Sequence, residues 1–162
     1  PSGRMGRVVR VLVNGAASSS VTPEQIKQRG VLAVALIDVL SKLGVGVELW
    51  LESATEYDSK IHSQLIKVHS SEERLDIDNL MFSMAHPSML RRVGFSILER
   101  TSWAPAKQCA QHGAGYGRPH NLTQGKRIGA DVEIDRLQNA TGDPVVDGVA
   151  YIMSTVKGLD LL

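Results

Sequence analysis

The chain is short of several things, and each shortage excludes something. It has one cysteine, Cys109, which rules out an internal disulfide framework and fits a reducing compartment. Neither sign of charge dominates: 18 lysines and arginines face 17 aspartates and glutamates. The resulting net charge of +1 gives no field that would draw the whole surface to nucleic acid or to a membrane. No window approaches ~18 continuous apolar residues, so no transmembrane helix and no membrane partner are expected. Pro1-Ser2-Gly3-Arg4 is not followed by an apolar signal core, and the expected localisation is cytoplasmic. In that setting Asn121-Leu122-Thr123 and Asn139-Ala140-Thr141 match the glycosylation pattern by chance. What is present is ordinary globular material, 43% hydrophobic and 22% charged over 162 residues. That suits a single α/β domain over residues 1–162, long enough to bury a core.

Residues 7–13 form an apolar run interrupted by Arg10, the pattern of a central strand buried on both faces. Thr22-Pro23-Glu24-Gln25 reads as a helix start: Thr22 caps, Pro23 takes the first helical position, and Gln25 completes a capping box. Ile26, Val34, Ile37, Leu40 and Leu43 continue at helical spacing, with Val31 and Ala33 beside them, up to a stop at Gly44. Such a helix, about 20 residues, spans roughly 30 Å. Residues 45–51 alternate as a second strand, with Gly46, Glu48 and Trp50 on its open face. Strand, helix and strand make a βαβ unit, so these strands should run parallel.

A polar connection, Ser53 to Ser59, is expected to lead to a third strand near Gln64–His69 that pairs antiparallel with the second as a hairpin. Ser70-Ser71-Glu72-Glu73 resembles a helix start, and Ile77, Leu80, Met81 and Met84 keep helical spacing as far as His86-Pro87. Residues 88–100 suit either a helix or a buried strand after Gly94. Residues 101–129 break the pattern as a long glycine-rich loop. Asp131 to Leu137 reads as a strand, and Asp143-Pro144 opens a final helix with Val145, Val149, Ile152 and Val156 on its buried stripe. The expected fold is a three-layer, Rossmann-like α/β domain: a mostly parallel sheet, helices on both faces, and an antiparallel edge hairpin.

Two places carry chemistry. The first is the loop Asn14 to Ser20, at the carboxyl end of the first strand, where open α/β sheets put ligands. Its small residues leave backbone amides free to approach an anion, but it is neither Gly-x-Gly-x-x-Gly nor a phosphate loop with its lysine. The second is His112-Gly113-Ala114-Gly115-Tyr116-Gly117-Arg118-Pro119-His120, where Tyr116 and Arg118 offer stacking and carboxylate or phosphate contacts. With Lys107, Lys126 and Arg127 it makes a basic loop of the kind that grips single-stranded nucleic acid; equally it reads as a packed surface loop or subunit contact. Asp76 and Asp78 at a helix start are explained by the helix dipole. Asp131, Glu133 and Asp135 share a strand face, the pattern of a solvated sheet face. The histidines show no metal-ligand spacing, and Cys109 with His112 is too little for zinc or for a nucleophile pair.

The first strand, the pattern Asn14-x-Ala16-x-Ser18, the long helix and the hairpin over residues 7–70 resemble the start of a von Willebrand factor A domain. Members of that family carry Asp-x-Ser-x-Ser at this junction and hold a divalent metal there, completed by a partner's carboxylate. In this chain Asn14 stands at the aspartate position and Ala16 at the first serine, so the resemblance implies a degenerate site. No cofactor is expected. A Mg²⁺ ion, were one held, would draw on Ser18, Ser20, Asp76 and Asp78. The expected function is a protein-binding or scaffolding module in a larger assembly, self-association included, docking through Asn14, Ser18, Ser20, Tyr116 and Arg118. A nucleic-acid-associated protein using the basic loop is the alternative. An enzyme with His112 or His120 as acid or base is a weaker one.

Overall fold

The computed structural model describes residues 6–101, 116–135 and 144–161. The element order is β1 (Val8–Asn14), α1 (Pro23–Lys42), β2 (Gly46–Tyr57), β3 (Lys60–His69), α2 (Ile77–Ala85), a π-helical turn (Met89–Gly94), α3 (Phe95–Arg100), β4 (Arg118–Pro119), α4 (Gly125–Ile128), β5 (Val132–Ile134) and α5 (Pro144–Gly158). The sheet order is β3-β2-β1-β5, and β4 also pairs with β2. β1 runs parallel to β2 and to β5, and β3 runs antiparallel to β2. The chain is therefore an α/β protein with a mostly parallel sheet and an antiparallel hairpin at its edge.

α1 begins as its local sequence dictates. Gln25 N donates to Thr22 Oγ1 at 3.2 Å, and Thr22 N donates to Gln25 Oε1 at 2.9 Å, which closes the capping box. Gly44, at φ 77°, turns the chain out of the helix into β2. The hairpin is longer than its polarity suggests. β2 continues through Ser53–Tyr57, and the turn is only Asp58-Ser59, both with positive φ (49° and 59°). Two successive left-handed residues match the twist of paired strands, so the polar residues are strand rather than connection.

One face of the sheet carries the core. Register sets Val9 beside Val47, Val11 between Leu49 and Val132, and Val13 between Leu51 and Ile134. These pack with Ala33, Val34, Leu36, Ile37 and Leu40 of α1, Leu80 and Met84 of α2, and Val156 of α5. Gly30 lets α1 and α2 touch backbone to backbone: a Cβ there would lie 2.4 Å from Ala85 Cα. The opposite face is more polar than expected for a strand buried on both sides. Val8 and Arg10 are exposed, and Glu48 accepts from Arg10 Nε at 3.0 Å and from Lys67 Nζ at 2.8 Å.

Other boundaries move for local reasons. Glu73 N bonds to Ser70 O, and Ser70 N to the Glu73 carboxylate, so this box closes a turn. α2 itself starts at the Asp76 cap, which accepts from Asn79 N at 3.1 Å. Residues 88–100 are helical, not strand. β5 is confined to Val132–Ile134. In α5 Val156 is buried, whereas Val149 is 57% exposed and off the buried stripe. Leu43 and Val31 of α1 are likewise exposed, and Leu36 takes a buried place instead.

Candidate functional site

β1 ends at Asn14 opposite Glu52, and both side chains are fully buried. Beyond that point β4 takes over the same edge of β2, pairing Arg118 with Glu56 and Pro119 with Thr55. Gly117 makes this approach possible: its φ is 85°, and a Cβ would meet Glu56 O at 2.9 Å. The chain then folds inward over the end of β1, with His120 N donating to Ala54 O at 2.8 Å.

Asn14 is the hub of this edge. Its Nδ2 donates to Asp135 Oδ1 at 2.7 Å and to His120 O at 3.1 Å, while its Oδ1 accepts from Ala16 N at 2.9 Å. Two acceptors on one side and a backbone donor on the other fix which way the amide points. The amide thus joins the loop after β1, the end of β5 and the incoming segment. Beside it Glu52 accepts from Ser63 Oγ at 2.8 Å, Thr123 Oγ1 at 2.6 Å, Thr123 N at 3.1 Å and Gln124 N at 3.0 Å. A buried carboxylate with this many donors is well compensated.

These contacts decide how well the loop could suit a divalent cation, and it suits one poorly. Asn14 turns its N–H bonds, not an anionic oxygen, toward Asp135, and its oxygen is already committed to Ala16 N. Ser18 Oγ and Ser20 Oγ are bonded to each other at 2.5 Å. Asp76 is spent on capping α2. α2 is reached from the edge where Gly46 faces Ser71, at the start of β2, whereas Ser18 and Ser20 lie past the end of β1. The set Ser18, Ser20, Asp76 and Asp78 is thus not brought together. Among the described residues no group of three or more His, Cys, Asp or Glu is placed to hold a metal ion.

The residues expected to meet a partner divide. Asn14 is buried and holds the edge together from inside. Ser18 is half-buried, and Ser20 and Arg118 are exposed. Tyr116 stacks on Phe95 with ring centroids 3.8 Å apart, and its hydroxyl donates to Glu99 at 2.5 Å, which raises the Tyr116 pKa. His120 directs Nδ1 at Asn121 O. His112, Cys109 and Lys107 lie outside the described residues, as do Gly113 and Gly115 of the long loop.

Two buried polar residues carried no signal as motifs. Glu52 falls at the end of an alternating strand, and nothing nearby in sequence marks its donors. Arg29 sits on the buried stripe of α1, 6% exposed. Its Nη1 donates to Ala16 O at 3.2 Å, its Nε has no partner among the described residues, and burial pulls its pKa down to about 10. It lines a cavity of ≈ 20 Å³ together with Asn14, Gln64, Ser83, His86 and Gly94.

No helix among the described residues is long and apolar enough to cross a membrane. No curated protein and no solved structure gives a significant match to the chain. A family described as a domain of unknown function, DUF7192, matches residues 1–157, and the chain belongs to that family.

Proposed function

We propose that this chain is a protein-binding module of a larger assembly, von Willebrand A-like in architecture, and that it docks through the carboxyl edge of its sheet without a resident metal. The observation that carries this reading is the Asn14 amide. Its two N–H bonds tie the Asp135 carboxylate and the His120 carbonyl to the end of β1, so the edge is braced from within. Glu52 adds a second internal brace to the segment that follows β4. The result is a preorganised surface with Ser20 and Arg118 exposed on it. Preorganisation of this kind lowers the ordering cost of association.

A nucleic-acid role for the same edge has less support. The ring of Tyr116 is already stacked on Phe95 and its hydroxyl is bound to Glu99, so it is a poor platform for a base.

The test is cross-linking of the chain in its native cells, followed by native mass measurement, for wild type and for Arg118→Glu and Ser20→Arg. A defined protein complex is expected, weakened roughly tenfold or more by at least one charge change at unaltered melting temperature. A chain that stays alone, or a complex indifferent to both changes, overturns the reading. Salt-dependent binding to single-stranded DNA or RNA without a protein partner would favour the nucleic-acid role instead.

A further inference from the structure

We propose that Arg29 receives a carboxylate group, presented by an acidic side chain of the protein partner, in the cavity between α1, the end of β1 and the π-helical turn. The source of the carboxylate rests on the partner-binding reading above; the site itself rests on Arg29.

An arginine that is only 6% exposed ordinarily has an anion beside it. Among the described residues no carboxylate is paired with Arg29; it has only the carbonyl of Ala16, held by Nη1. The edge formed by Nε and Nη2 is the one that grips a carboxylate with two parallel hydrogen bonds, and Nε on that edge is buried and unpartnered. Burial lowers the Arg29 pKa to about 10, which still leaves the group charged at neutral pH. Four buried side-chain polar atoms lack a partner among the described residues, and two of them, Arg29 Nε and Gln64 Oε1, belong to residues lining this one cavity.

The cavity sets the size of the occupant. At ≈ 20 Å³ it has room for about one water and falls far short of a site that would enclose a metabolite. A carboxylate head whose remaining atoms stay outside fits that limit, which points to the tip of an Asp or Glu side chain. Gln64 can adapt to it. Its Nε2 reaches Gly94 O only at 3.5 Å, so turning the amide would exchange that long bond for N–H groups presented to the anion. Val13, Ile26, Leu51 and Met84 add apolar wall beside the polar Asn14, Ser53, Ser83 and His86, and low local polarity strengthens a charge pair inside. The π-helical turn supplies Met89, Leu90 and Gly94 to that wall, and such turns are frequent at functional sites. Arg91 Nη2 donates to Val21 O at 2.6 Å and so ties the turn to the loop carrying Ser18 and Ser20.

Nitrogen-15 NMR of arginine side chains reads the site directly. The Nε–H signal of Arg29, assigned by its loss in Arg29→Lys, is followed while sodium acetate is added against equal sodium chloride. A saturable shift with acetate and none with chloride is expected. The acetate-induced rise in melting temperature should be weakened roughly tenfold or more in Arg29→Met. No shift, or the same shift with chloride, overturns the proposal and leaves a water-filled cavity only. The two readings fail separately. Acetate binding in a chain that captures no partner keeps the carboxylate site and removes its protein source. A native complex unaffected by Arg29→Met keeps the partner and overturns the site.

Discussion

Two buried polar regions meet at the end of β1, where Asn14 and Arg29 line one cavity, and they are built in opposite ways. Around Asn14 and Glu52 the described hydrogen bonds close on themselves: a carboxamide spends both kinds of group, and a carboxylate takes donors from Ser63, Thr123 and Gln124. Around Arg29 they do not: among the described residues a charged guanidinium has one carbonyl, and an arginine donor and a glutamine acceptor on two residues lining a small cavity have no partner. A closed network holds a loop in place and has little left to offer a ligand. An open one costs stability, and the cost makes sense if something else completes it.

Mutations can break this contrast, because the two regions should respond with opposite sign. Glu52→Ala strips the donors of Ser63, Thr123 and Gln124 of their acceptor and is expected to cost about 3 kcal/mol in urea denaturation. Asn14→Asp removes two donors and puts a second carboxylate beside Asp135, for a loss of about 2 kcal/mol in chelator. Partial recovery of its melting temperature in Mg²⁺ is expected, since two carboxylates would then converge. No recovery would show that Ala16 and the mutually bonded serines also bar a cation.

Arg29→Met should go the other way, gaining about 1 kcal/mol by removing an unpaired buried cation. The folded pKa lies near 10, below its ordinary value, so the penalty of the charge is fully present at neutral pH. The advantage of the variant should therefore fade only as pH rises past about 10; an Arg29→Met loss of several kcal/mol would end the contrast. The smallest effect belongs to the exposed face. Glu48→Gln should cost about 0.5 kcal/mol at neutral pH. Lys67 and Arg10 hold the Glu48 carboxyl below its ordinary range, the hydrogen bond from Lys67 being the larger cause. A lowered carboxyl pKa stabilises above that range and ceases to as pH falls through it, so wild type and variant should converge in acid.

Much of the frame was legible because its signals are local. Thr22, Pro23 and Gln25 start α1 by bonds made within four residues, and the alternation of Val47, Leu49 and Leu51 follows from the pleat. The signals that misled were local too. Ser70 and Glu73 make the bonds of a capping box, yet the helix waits for Asp76 and for Leu80 and Met84 to find the α1 core. The polarity of Ser53–Tyr57 reads as a loop because a strand paired on both edges needs no apolar side chains to hold it there.

By itself the sequence determined the βαβ unit, the antiparallel hairpin, and the small-residue loop that lacks both a phosphate-binding lysine and the metal-binding aspartate. Those depend on periodicity and on residues a few positions apart. Only the tertiary structure decided what the polar side chains do. Asn14 meets Asp135 across 121 residues, Glu52 meets Thr123 across 71, and Arg29 meets no anion among the described residues. Whether a buried polar group is satisfied depends on chain that returns from far away, and no local pattern records that return.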